Sequence, residues 1–184
     1  MYLYDIKEAD KYLETNLEQL LVAGQENELA NQQFAQFLLQ MDPAVVDQKV
    51  HALNNKIAPK IDCTACGNCC KTLLININEK EADALSNHLQ QTREIFDKNY
   101  LEKGVNGTML MSAVPCHFLK ENKCTVYDYR FEGCKEFPAM HLPHFNKRLF
   151  TTFMHYNRCP IIFNIVEQLK IETQFAEATK TETL

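Results

Sequence analysis

From Ile6 to Leu21 apolar residues recur at helical spacing (Ile6, Ala9, Leu13, Leu17, Leu20, Leu21), with Lys and Glu on the opposite face. The pattern predicts an amphipathic helix, with Gly24 as its stop. A second helix is predicted from about Asn27 to Met41, carrying Leu29, Phe34, Phe37, Leu38 and Met41. Asp42 then offers an N-cap oxygen and Pro43 suits the first helical position, so a third helix starts there with Ala44, Val45, Val46, Val50 and Leu53. Pro59 closes it. The run Thr72 to Ile77 is β-branched and apolar and reads as a short strand. Asn78 with Glu81 three residues on has the form of a capping box, predicting a helix to about Lys103; Asn106-Gly107 marks a turn. From Met109 to Cys159 the chain breaks into short pieces, studded with Pro115, Gly133, Pro138, Pro143 and Pro160. A last helix is predicted from Ile161 to about Phe175, before a polar tail, Glu177 to Leu184.

The broken stretch is too irregular to bury a core through secondary structure alone, and the cysteines suggest what holds it. There are eight. Four fall in one run, Cys63-Thr64-Ala65-Cys66-Gly67-Asn68-Cys69-Cys70, and Cys116, Cys124, Cys134 and Cys159 follow singly. Thiols bunched this tightly are held by a metal, joined as disulfides, or left as a redox hazard. The chain begins without the basic end, apolar stretch and small-residue cleavage site of a signal peptide, and no apolar run approaches a membrane span. A cytoplasmic protein with reduced thiols is therefore expected. That disfavours disulfides, and adjacent Cys69 and Cys70 would pair with each other only by distorting the backbone.

Charge changes this picture little. The net charge is −5; residues 1–60 carry nine acids against five bases, and residues 105–160 carry seven Lys and Arg against four acids. A surplus of three makes no basic stripe, so nucleic acid is not expected as a partner. A mildly basic neighbourhood offsets the charge of clustered thiolates instead.

Cys63-x2-Cys66-Gly67 has the form of a metal knuckle: two intervening residues let a tight turn aim both sulfurs at one ion, and glycine permits the positive φ such turns need. Extended to Cys69 it becomes C-x2-C-x2-C, the opening of a ferredoxin-type cluster loop, although position 73 is Leu where that motif has its next cysteine. The remote Cys159-Pro160 is a candidate to close such a cluster. In extended backbone Cys69 and Cys70 would point to opposite sides and serve different ions. Eight sulfurs divide into two sets of four, so two tetrahedral zinc sites, a cluster plus a second metal, and one cluster with spare thiols all stay open. His117, His141, His144 and His155 are weaker candidates.

The ordered string Cys63-x2-Cys66-x2-Cys69-Cys70, Pro115-Cys116-x-Phe118-Leu119, Cys124-x-Val126-Tyr127-x2-Arg130 and Cys134-x2-Phe137-Pro138 resembles the bacterial cysteine-cluster proteins of the zinc- or iron-chelating domain family, often labelled YkgJ-like. The resemblance covers roughly residues 61–160. Phe131 stands where the family commonly has Pro, and Lys135 where it often has Arg; neither change removes a sulfur. The resemblance implies a metal-chelating cysteine cluster and no established reaction, although members are often labelled Fe–S oxidoreductases. From physics, Arg130 and Lys135 flank the ligands, and a guanidinium can donate to sulfur or to a backbone carbonyl.

The expectation is a mainly α protein with minor β. It has an N-terminal helical segment (1–60), a loop-rich cysteine-metal core (61–160), and a C-terminal helix and tail (161–184), packed as one globular domain. All eight cysteines are metal-ligand candidates, and no catalytic constellation is found. The metal reading is an iron–sulfur cluster with a redox or iron-handling role; the other is a structural zinc module acting in protein interaction. A protein partner is expected, without nucleic acid or membrane.

Overall fold

The computed structural model describes residues 13–175. The first predicted helix lies partly outside them; within them, α1 runs over Leu17–Glu26. Its start is set by Asn16, whose side-chain oxygen accepts from the backbone N–H groups of Glu18 and Gln19 at 2.9 and 3.4 Å. Gly24 does not stop α1 but lies inside it, where a Cβ would stand 2.4 Å from the Asn157 Cβ. Helix α2 (Glu28–Gln40) follows, then α3 (Pro43–Ile57), capped by Asp42 as its sequence predicts.

Two short helices come next, α4 (Cys63–Cys66) and α5 (Asn68–Thr72). The predicted strand shrinks to β1 (Asn76–Ile77), because Thr72 ends α5. The capping box forms: Asn78 accepts from the Glu81 N–H at 3.0 Å while Glu81 Oε2 accepts from the Asn78 N–H at 2.9 Å. The helix it opens does not reach Lys103. It divides into α6 (Glu79–His88) and α7 (Arg93–Tyr100), and the chain then extends as β2 (Leu101–Lys103). The break comes at Gln90, whose φ of +55° leaves the helical region, and Thr92 caps the restart. Past the turn at Gly107 lie β3 (Met109–Met111), the hairpin β4 (Leu119–Lys120) and β5 (Lys123–Cys124), a 3-10 turn at Tyr127–Tyr129, and α8 (Glu132–Glu136). A 3-10 turn at Phe145–Arg148, α9 (Leu149–Met154) and α10 (Pro160–Glu172) finish the described chain. The fold is mainly α. Among the described residues no helix is long and apolar enough to cross a membrane.

The chain divides into two units, one of residues up to Ile61 and from Pro138 onward, the other Asp62–Phe137. Residues 138–160, placed with the cysteine core by the sequence pattern, cluster with the helices instead. In this helical unit α10 packs on α3 and α1 and buries Ile161, Ile162, Phe163, Ile165, Val166 and Leu169. Asn164, 3% exposed, accepts from the Glu14 N–H and donates to the carbonyls of Glu14 and Pro160, so its buried amide is paired. Asp47 on α3 accepts from the His144 and Phe145 N–H groups at 2.7 and 2.8 Å. Burial raises the Asp47 pKa, but these hydrogen bonds, with His51 and His144 nearby, hold the carboxyl below its ordinary value.

In the cysteine unit β1, β3 and β2 form an antiparallel sheet, with Asn76 opposite Leu110 and Leu101 opposite Met111. Its buried cluster is Ile77, Ala82, Leu85, Phe96, Leu101, Met109, Met111, Phe118, Val126 and Phe131. Arg93 clamps one side: its guanidinium meets Glu79 and Asp97 at 2.5 Å and Asp83 at 2.6 Å. One arginine thus ties the start of α6 to α7, a geometry a fork of five N–H groups permits.

Candidate metal centre

The knuckle is built from its flanks inward. Asp62 Oδ1 accepts from the N–H groups of Thr64 and Ala65 at 2.9 and 3.2 Å and from the Thr64 hydroxyl at 2.6 Å, which starts α4 at Cys63. Gly67 ends it with φ +58°, its N–H donating to the Cys63 carbonyl at 3.0 Å. The reversal lets α5 begin at once. Cys63 and Cys66 therefore sit on one helical turn and Cys69 and Cys70 on the next, hinged at one glycine. The extended backbone expected at Cys69-Cys70 is absent: both lie on α5, their sulfurs 4.0 Å apart rather than on opposite sides.

The later cysteines arrive through different contacts. The Cys116 N–H donates to the Cys70 carbonyl at 2.8 Å, fixing the segment after Pro115 against α5. The Leu119 N–H donates back to the Cys116 carbonyl, and Leu119 pairs with Cys124 across the β4–β5 hairpin. That hairpin turns through Glu121 and Asn122, with φ of +50° and +63°, the signature of a type I′ turn. Its tip lies against Gly67, where an added Cβ would stand 2.8 Å from the Asn122 carbonyl oxygen. Cys134 rides on α8, whose first N–H, from Glu132, donates to Glu81 Oε1 at 2.5 Å. Glu81 thus caps α6 with one oxygen and holds α8 with the other, a role its sequence position does not reveal.

Cys116, Cys124 and Cys134 pack against the apolar cluster of the unit, half-buried like Cys66, Cys69 and Cys70, while Cys63 is exposed. No two of the eight are joined in a disulfide. Their charges are coupled: ionising Cys134 is opposed first by burial and then by Cys116, Cys70 and Cys124, which pushes its pKa up to about 12. Burial raises Cys116 and Cys124, each eased by a backbone hydrogen bond and each further raised by Cys70. Cys70 is raised by its Cys69 hydrogen bond and then by burial, and Cys63 by burial and then Cys66. Two groupings emerge, Cys63 with Cys66, and Cys70 with Cys116, Cys124 and Cys134; Cys69 touches Cys70.

Every one of these shifts is upward, the reverse of what a nucleophilic thiol needs. Buried, mutually repelling sulfurs gain most from a cation that takes their charge, and thiolates are the donors that zinc and iron–sulfur clusters select. The donor set fits such a group. Among the described residues no three His, Cys, Asp or Glu side chains stand close enough to hold an ion as placed. Cys159 belongs to the helical unit, buried at the N-cap of α10 with Pro160 at the first helical position. Pro160 thus has a helix-starting role of its own. His141, His144 and His155 also lie in that unit. His117 pairs with the Ser112 hydroxyl at 3.0 Å.

The family described as "putative zinc- or iron-chelating domain", CxxCxxCC, matches residues 62–160. The chain belongs to this family. No curated protein and no solved structure matches the chain. The family match begins at Asp62, where the cysteine unit begins, and runs through Cys159 and Pro160 into the helical unit. This is a metal-binding cysteine-cluster protein.

Proposed function

We propose that the cysteine unit carries an iron–sulfur cluster and serves a redox or iron-handling role. The observation that carries the reading is the order of the first sulfurs in a unit that holds seven thiols. Three of them, Cys63, Cys66 and Cys69, keep the C-x2-C-x2-C order of a cluster loop on a helix–glycine–helix frame. Cys116, Cys124 and Cys134 pack against the apolar cluster that includes Phe118, Val126 and Phe131, and an apolar wall of this kind tunes the potential and lability of a cluster. When bound, the group supplies one-electron chemistry; the chain supplies the sulfurs, the dry wall and the nearby charges.

The reading predicts that protein purified without oxygen is brown, bleaches on dithionite and regains colour on controlled oxidation. Colourless protein with no response to dithionite would overturn it. A zinc-binding structural module acting in protein interaction is the second reading. It is favoured by the Asp62-capped knuckle ending at Gly67, a turn that suits one tetrahedral ion.

A further inference from the structure

Helix α8 carries Cys134 but cannot cap itself. The residue at its N-cap is Phe131, which has no side-chain oxygen to accept from the first N–H groups of the helix. The acceptor comes from α6. Glu81 Oε1 takes the Glu132 N–H at 2.5 Å while Oε2 takes the Asn78 N–H at 2.9 Å. A carboxylate can do both; a glutamine side chain has one oxygen and would turn its NH2 group toward the second donor. The apolar side seats α8 as well. Phe131 is buried in the apolar cluster of the unit, and a Cβ on Gly133 would stand 3.4 Å from Ile75 Cγ2. The Cys134 N–H then donates to the Phe131 carbonyl at 2.9 Å, so the place of the cysteine follows from where this first turn is held.

A helix of five residues has little stability of its own, so contacts from outside decide where it sits. We propose that Glu81 is a positioning residue of the metal centre: by holding the first N–H of α8 it sets where Cys134 stands among the sulfurs. The role rests on the metal-binding reading above. It acts through backbone, from an oxygen 51 positions away in sequence, and asks nothing of the charge on any thiol.

The test uses the full chain loaded with zinc, alkylated with iodoacetamide and mapped cysteine by cysteine by mass spectrometry. A sulfur held by the ion reacts slowly, because the attacking species is the free thiolate. Glu81→Ala is expected to speed alkylation of Cys134 about 3- to 10-fold, the factor one hydrogen bond contributes, with Cys63 and Cys66 at wild-type rates. Glu132→Pro should do the same, since it deletes the donor instead of the acceptor at a first helical position that suits proline. Asn78→Ala loosens the start of α6 but keeps the bond between Glu81 and Glu132, so its Cys134 should react as in wild type. Cys134 as well protected in Glu81→Ala as in wild type would overturn the role. Faster reaction in Glu81→Ala but not in Glu132→Pro would also overturn it, by placing the effect in the α6 cap. Acceleration of every cysteine alike in all three variants would do so too, as general loosening. Wild-type protein that binds zinc yet leaves Cys134 reactive would overturn the role and keep the metal reading. Wild-type protein that binds neither zinc nor iron would overturn both.

Discussion

Gly67 is the position where backbone geometry and the sulfur set depend most closely on each other, and replacing it by alanine isolates that dependence. Two costs apply. An alanine in the left-handed region loses about 1–2 kcal/mol, of which the stiffer unfolded chain returns about 0.4–1 kcal/mol. The second cost is local: the new Cβ would stand 2.8 Å from the Asn122 carbonyl oxygen and 3.1 Å from the Asn122 Cα. Those atoms belong to the backbone of a two-residue turn whose register is fixed by the pairs Leu119–Cys124 and Lys120–Lys123, so they yield poorly. Such overpacking adds about 1–3 kcal/mol, for a total near 2–3 kcal/mol. Gly107 is the internal control. It too has a positive φ, +74°, but an added Cβ there meets nothing within 4 Å, so Gly107→Ala should cost only about 0.5–1 kcal/mol. Both glycines lie in the cysteine unit, so urea unfolding followed by circular dichroism reads the same transition for each. Equal destabilisation by the two variants, or a neutral Gly67→Ala, would refute the close approach of hairpin and knuckle.

Cys66→Ser should release bound metal and lower the unfolding temperature, because metal binding and folding are linked; unchanged metal content and stability would remove the knuckle from the centre. Arg93→Met should destabilise the cysteine unit by about 1–2 kcal/mol in urea, with the Asp97 arm dominant because exposed ion pairs are individually weak. Asp97 is 17% exposed, against 71% for Glu79 and 60% for Asp83, so a loss confined to low salt would contradict this ranking. The carboxyl of Asp47 is held below its ordinary value of 3.8, so its contribution is complete above that value and is lost as the pH falls through the lowered one. Asp47→Asn should therefore flatten the acid limb of the stability–pH curve of the helical unit, and an unchanged limb would show that its bonds to His144 and Phe145 are not what sets it.

The helices were legible where a cap announced them. Asp42-Pro43 fixes the start of α3, and Asn78 with Glu81 fixes that of α6, because each satisfies orphan N–H groups by purely local contacts. Their ends were less legible. Gln90 breaks the predicted long helix in the left-handed region without a glycine or proline to mark it, and Gly24 lies inside α1 because of a distant neighbour, Asn157. The metal-binding character of the cysteines is written in their spacing, but their grouping is not. Cys70 is tied to Cys116 by a backbone hydrogen bond, and Cys116, Cys124 and Cys134 share an apolar wall, which are tertiary facts. The hairpin tip at Glu121-Asn122 likewise lacks the glycine that usually marks a type I′ turn, so nothing in the sequence points to its approach to Gly67.

The central claim is that these sulfurs hold metal, and that the metal is iron in a cluster. Its most direct test is elemental and acid-labile sulfide analysis of the full chain purified without oxygen, run beside Cys66→Ser. The account predicts iron and sulfide in equal amounts in the wild type and a marked loss of both in the variant. Zinc without sulfide would contradict the cluster and leave the structural module standing. A wild type holding no metal, indistinguishable from Cys66→Ser, would contradict the account as a whole.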